Sequence, residues 1–298
     1  MELTIVRPSK TKEILKKYDI RLTKRLGQHF LVDGNILRKE VEAAQLTSGD
    51  TVLEIGPGIG TLTEGLASEA KKVVAIELDR KFITILKETL ASYANVHIVE
   101  GDALRLDLCS LLGGPDSYKL VSNLPYNIAA PAIVKVLEGC PSINFLVVMV
   151  QKEIAERMLA QAGEKDYGVF SLKVQYHADI EKILEVSRHV FFPPPRVDSA
   201  IVKLTRLRQP RVSVDDEAAF FRLIQAIFQQ RRKMVRAALL GAKGLPYSLP
   251  QITEGLKKLE AEGFKVTSRG ELLGMNDFAF IHKTLQNATL NSSEFVIE

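Results

Sequence analysis

The chain of 298 residues has only two cysteines, Cys109 and Cys140, and neither stands in a CxxC pair or near clustered histidines. That spacing gives no zinc-binding pattern and no disulfide framework, so both are expected as buried thiols and no metal is expected. Long apolar runs are also missing. The best candidate, around Phe145 to Val150, falls far short of the roughly 20 residues that a membrane helix needs. The N-terminal stretch MELTIVRPSKTKEILKKYD includes Glu2, Glu13 and Asp19 and has no apolar core ahead of a small-residue cleavage site, as in an unprocessed cytoplasmic protein. Charge of one sign is nearly cancelled. Against 36 Asp+Glu stand 40 Lys+Arg, a net +4 that permits a polyanionic partner without requiring one. Internal repeats and low-complexity segments are absent.

What is present in the first two thirds is alternation. Short β-rich runs, TVLEIG (51–56), VVAIEL (73–78), VHIVEGD (96–102), KLVSN (119–123) and NFLVVMV (144–150), are separated by segments with helical apolar spacing. Asp79 is placed to N-cap the segment RKFITILKETL, whose Phe82, Ile85, Leu86 and Leu90 share one face. Strand and helix alternating at this interval predict a parallel, doubly wound α/β sheet. ILEVSRHVFF and SAIVKLTRL then read as strands joined by the proline-rich PPPRVD, at a sheet edge. From about residue 210 only helical periodicity appears, FFRLIQAIFQQRRKMVRAALL being its most amphipathic piece. The expected domains are therefore 1–208 and a small all-helical 209–298.

Ligands of open parallel sheets bind beyond the carboxyl ends of the strands. EIGPGIGTLT lies at the first such end, where Gly56, Gly58 and Gly60 would let the backbone approach a ligand at a helix N-terminus. Thr61 stands where the dinucleotide fingerprint wants a third glycine or alanine, and no GK[ST] phosphate loop is present. Alone, this turn serves a nucleotide-like ligand or a merely tight bend equally well. Glu77, ending the second strand, could accept both hydroxyls of a ribose, and Asp102, ending the third, an exocyclic adenine amine. Three such features in order, with no basic residue in the turn, suit an adenosine without phosphates. S-adenosylmethionine fits that description.

The fourth strand ends in VSNLPYNI (121–128). An exocyclic adenine nitrogen is a poor nucleophile until acceptors draw its protons aside. Asn123 could supply an amide oxygen and Leu124 its carbonyl, aimed by Pro125, while Tyr126 stacks on the base. No strong base is needed, because the nitrogen becomes acidic once methylated.

LGQHFL (26–31), EIGPGIGTLT, ELD (77–79), GDAL (101–104), NLPYNI and FFPPPRVDSAIVKL (191–204) together resemble the motifs of the ribosomal RNA adenine dimethyltransferases. QRRKMVRAAL (230–239) is similar to the C-terminal helix of the bacterial branch called KsgA. The resemblance implies an α/β, Rossmann-like class I S-adenosylmethionine-dependent methyltransferase sheet with a helical C-terminal domain. It further implies that two adjacent adenosines near the 3′ end of small-subunit ribosomal RNA are dimethylated. By the same resemblance His29 and Leu31 would touch the cofactor, together with Gly56, Gly58, Glu77, Asp102 and Asn123, and Phe191 would stack on the target adenine opposite Tyr126. Arg231, Arg232, Lys233 and Arg236 would hold RNA phosphates; such a basic run alone has the composition of a solvated face. The expected partner is the small ribosomal subunit and its RNA, for a monomer without membrane contact. A large-subunit methyltransferase of the macrolide-resistance type and a non-catalytic assembly factor are the alternatives.

Overall fold

The computed structural model describes residues 3–20, 29–113 and 117–288. Residues 26–28 of LGQHFL and the basic residues between 21 and 25 lie outside them. The chain divides into two compact units: residues up to Glu156 with His177–Arg208, and Arg157–Tyr176 with residues from Gln209 onward. A single division at 208/209 does not capture the excursion through 157–176.

The strands of the first unit are β1 (Phe30–Leu31), β2 (Thr51–Ile55), β3 (Lys72–Glu77), β4 (Val96–Glu100), β5 (Tyr118–Asn123), β6 (Ile143–Gln151), β7 (Ala178–Val186), β8 (Phe191–Phe192) and β9 (Ser199–Arg206). Seven of them form one sheet in the order β4-β3-β2-β5-β6-β9-β7. Its first five members are parallel, whereas β9 runs antiparallel to both β6 and β7. The central strands are buried on both faces, which is why they read as continuous apolar runs rather than as alternating ones. Chain progression reverses between β2 and β5, leaving a crevice above their carboxyl ends. β1 and β8 form a separate antiparallel pair, Phe30 opposite Phe192 and Leu31 opposite Phe191.

Four helices position the crevice: α1 (Pro8–Lys17), α2 (Gly34–Ala43), α3 (Thr61–Glu69) and α4 (Arg80–Thr89). Asp79 caps α4 by accepting from the Lys81 N–H at 2.9 Å, and Phe82, Ile85, Leu86 and Leu90 are all buried, as the spacing predicts. The buried Glu64 of α3 accepts from the Thr4 and Ile5 N–H groups at 2.9 and 3.0 Å, tying the N-terminal segment to the sheet unit.

The second unit has its own core, in which Phe220, Leu223, Ile224 and Ile227 of the helix Glu217–Gln229 pack with Tyr167, Leu172 and Phe278. The expected long amphipathic helix is interrupted. It stops at Gln229 and a new helix spans Val235–Gly241. In between, Val235 and Arg236 donate their N–H groups to the Ser268 and Val266 carbonyls, and Met234 forms a β-bridge with Arg269. Backbone partners distant in sequence thus replace the helical bonds.

Cys109 and Cys140 form a disulfide with Cα atoms 5.4 Å apart, correcting the expectation of free thiols. The short helix Leu108–Leu112 and the end of the helix Ala129–Gly139 bring them together across 31 residues, a proximity that no local motif signals.

Arg206, the last residue of β9, donates to the carbonyls of Ile143, Leu137, Val136 and Cys140 at 2.8 to 3.1 Å. It therefore caps the C-terminus of the helix Ala129–Gly139, where a cation is favoured, and joins that helix to β6 and β9. Arg206→Met is expected to destabilise the sheet unit by about 1.5–3 kcal/mol, the range for hydrogen bonds to charged groups. Denaturant unfolding monitored by circular dichroism measures this, and an unchanged midpoint would refute the clamp.

Candidate functional site

A cavity of about 590 Å³ opens at the carboxyl ends of β2, β3 and β5. His29, Leu31, Gly56, Gly58, Glu77 and Asp102 line it, and so do Asn123 through Tyr126 and Phe191. Every site residue expected in the first unit therefore reaches one cavity.

Its floor is the glycine turn. Gly56, Gly58 and Gly60 have φ of +73°, +58° and +93°, a region that side chains rarely adopt. At Gly56 the constraint is also one of space: a Cβ there would lie 2.8 Å from Pro125 Cγ. The turn after β2 is therefore packed directly on the segment that leaves β5.

Glu77 is buried at the end of β3, and among the described residues its carboxylate is held by backbone donors. It accepts from the Leu78 and Asp79 N–H groups at 2.8 and 2.9 Å and from Gly58 N–H at 3.3 Å. Burial raises its pKa, and those donors pull it back. The carboxyl is thereby aimed before any ligand arrives. Asp102 accepts from Leu104 N–H at 2.9 Å and pairs with Arg105 at 3.4 Å.

His29 places Nδ1 2.7 Å from the Pro193 carbonyl. A carbonyl only accepts, so Nδ1 carries a proton and donates it to that carbonyl. The imidazole lies 5.6 Å from the Tyr126 ring. The Tyr126 hydroxyl is 2.8 Å from the buried Ser199 Oγ, and desolvation holds its pKa above the usual value. Ser199, the serine of FFPPPRVDSAIVKL, thereby holds the Tyr126 hydroxyl in place. Phe191 is buried and borders the cavity, while its neighbour Phe192 faces Lys12, whose ammonium sits 5.3 Å from the ring centre.

The Leu124 N–H is tied to the Met149 carbonyl at 3.1 Å, and no donor among the described residues reaches the Leu124 carbonyl. Asn123 turns its amide nitrogen to Glu40, 2.7 and 3.0 Å from the two carboxyl oxygens. With Glu40 ionised, that orientation satisfies both side chains, since the opposite one then sets oxygen against oxygen. Glu54, at 1% exposure, has its pKa pushed up to about 8, chiefly by burial and further by Glu77. Its Oε2 and the Thr61 hydroxyl are buried without a hydrogen-bond partner among the described residues, and both residues line the cavity. An acceptor-rich, orphaned wall of this kind fits a ligand that carries positive charge and donors, as S-adenosylmethionine does.

Sequence reasoning missed Glu40, Glu54 and Ser199. Glu40 did leave a signal, a carboxylate on the apolar stripe that Leu37 and Ala44 form along α2. In the second unit, Arg231 pairs with Glu271 at 2.7 Å and donates to the Lys165 carbonyl, and Arg236 pairs with Glu260 at 2.6 Å. Arg231, Arg232 and Lys233 occupy the turn between two helices rather than a helix face.

A family model described as ribosomal RNA adenine dimethylase matches residues 20–253. The chain is 44% identical over 290 residues to the ribosomal RNA small subunit methyltransferase A of Geobacillus thermodenitrificans, covering 96% of this chain and 98% of the relative. Among solved structures, a dimethyladenosine transferase from Plasmodium falciparum matches with a TM-score of 0.72 at 30% identity, over 87% of this chain and 98% of that one. The 23S rRNA methyltransferase ErmE matches with a TM-score of 0.62 at 26% identity, over 86% and 99%.

Gly56→Ala tests the packing of the floor. Strain of about 1–3 kcal/mol at such a φ, together with displacement of Pro125, is expected to weaken S-adenosylmethionine binding roughly 10- to 100-fold. Titration calorimetry on the folded variant measures it; wild-type affinity would show that the contact does not constrain the site.

Proposed function

Because the chain belongs to the ribosomal RNA adenine dimethylase family, a family of S-adenosylmethionine-dependent enzymes, we propose that it methylates small-subunit ribosomal RNA. It transfers methyl groups to the exocyclic N6 of two adjacent adenosines near the 3′ end, giving N6,N6-dimethyladenosines and serving subunit maturation. The observation that carries this reading is the juxtaposition, in one cavity, of an adenosine-type cradle with two neutral acceptors at the exit of β5.

When bound, the cofactor supplies an electrophilic methyl group on a sulfonium. Glu77 and Asp102 are suited to its ribose and adenine, His29, Leu31 and the glycine turn to the remainder, and Glu54 to its cationic amino acid end. Oδ1 of Asn123 and the Leu124 carbonyl accept the two protons of the target amine, which frees its lone pair for the methyl. Pro125 fixes the direction of that carbonyl. Tyr126, pinned by Ser199, and Phe191 hold the adenine flat after it has been turned out of its stack. No group has to remove a proton before methyl transfer, in agreement with an amide at this position rather than a histidine.

Phosphate contacts fall to Arg232 and Lys233, with Arg231 and Arg236 able to exchange their exposed ion pairs for phosphate, since such pairs contribute little. The cellular reading is a cytoplasmic monomer; among the described residues no helix is long and apolar enough to cross a membrane. Large-subunit RNA as substrate is the second reading, supported by the ErmE likeness at 26% identity, but the 44% likeness to a small-subunit enzyme favours the first.

Labelled S-adenosylmethionine offered with small subunits, large subunits and naked RNA from cells lacking the modification is expected to label the small subunit. Label in large-subunit RNA alone, or in none, would overturn the proposal. Asn123→Ala is expected to slow transfer by about 10²–10³, the loss typical of removing one preorganised polar contact, with cofactor affinity little changed. Single-turnover kinetics beside calorimetry separates the two. Arg232→Ala with Lys233→Ala is expected to lower the salt slope of RNA binding by about one per lost phosphate contact. Binding measured across salt concentrations reads that slope, and an unaltered one would remove both residues from the interface.

A further inference from the structure

Glu40 is completely buried on α2, and among the described residues no cation pairs with it. A buried carboxyl without a cation costs stability and is retained at the expense of an apolar side chain that would pack better. It does not line the cavity. Asn123 stands between, with its amide nitrogen 2.7 and 3.0 Å from the two Glu40 oxygens.

We propose that Glu40 is a positioning residue that locks the Asn123 amide with its nitrogen inward, so that Oδ1 is presented to the amine to be methylated. The inference rests on the adenine methylation proposed above. An asparagine amide is nearly symmetric in shape and opposite in polarity at its two ends, so sterics alone do not choose between them. A carboxylate only accepts, and therefore takes the NH2 end. A carboxylic acid can also donate, to the amide oxygen, and that would turn the NH2 group toward the substrate amine, donor against donor.

The arrangement is consequently sensitive to the proton on Glu40. Burial raises its pKa well above the usual range, and the negative charge of Glu54 from β2 raises it further. Glu54 is itself pushed up to about 8 and feels Glu77 from β3. On α2 the neighbours along the stripe are Leu37 and Ala44, and β5 contributes Asn123. With the folded pKa raised, the accepting form is lost as pH falls through that raised value, so transfer weakens on the acid side at a higher pH than an ordinary carboxylate would allow. A cationic cofactor in the same cavity favours the ionised form.

The test compares Glu40→Leu and Glu40→Gln with the wild type by single-turnover methylation, cofactor calorimetry and thermal unfolding. Glu40→Leu is expected to lower the transfer rate about 10- to 100-fold, within the range for loss of a preorganised polar contact, with cofactor affinity unchanged and the melting temperature unchanged or higher. Glu40→Gln, whose carbonyl can still accept from Asn123, is expected to keep more of the rate and to lose the acid-side dependence. In an Asn123→Ala background Glu40→Leu should have no further effect. Wild-type transfer by Glu40→Leu, or a loss that tracks falling melting temperature or cofactor affinity, would overturn the positioning role. Absence of transfer by the wild type would instead count against the adenine methylation itself, and in that case slowed solvent exchange of the Asn123 side-chain amide in wild type, lost in Glu40→Leu, still reports on the lock. Equal exchange in the two proteins would overturn the lock independently of activity.

Discussion

The site depends on a contact with no room for a methyl group, the backbone of Gly56 against the ring of Pro125. It joins the two strand exits on either side of the point where the sheet reverses its order, one bearing the glycine turn and the other the segment Asn123 to Tyr126. Each exit alone is an ordinary loop. Pressed together, they set the distance between the glycine turn and the Asn123 to Tyr126 segment without a flexible side chain between them, and the methyl transfer proposed above would tolerate little error in that distance.

A second theme is a set of buried carboxyls. Glu40, Glu54 and Glu77 are all buried, on α2, β2 and β3, and desolvation raises the pKa of each. Backbone donors offset part of that cost at Glu77. The Glu54 Oε2 and the Thr61 hydroxyl, orphaned among the described residues, belong to the cavity lining and suit a ligand with positive charge and donors.

What was legible in the sequence was local. Asp79 capping α4, the glycine turn, and the acids ending β3 and the strand after it depend on neighbours within a few residues, and all appear as expected. What stayed hidden was set by partners far along the chain. Ser199 reaches Tyr126 across 73 residues, and the helix break after Gln229 is imposed by carbonyls near residue 268, although the apolar pattern runs straight through it. The cystine has the same origin, two helix ends meeting across 31 residues. Glu40 lies between these cases: its misfit on an apolar stripe was visible, but its hydrogen-bond partner, Asn123, lies on another element.

The passage of residues 157–176 into the second unit limits where the chain can be divided. Tyr167 and Leu172 belong to the same core as Phe220 and Phe278, so the chain enters that unit, returns to complete β7 and β9, and enters it again. A module entered twice, through three crossings of the chain, cannot be cut away after β9 without stripping the first passage of its apolar partners. Substitutions at Tyr167 or Leu172 therefore act on the core of the helical unit, although both residues precede β7 and β9 in the chain.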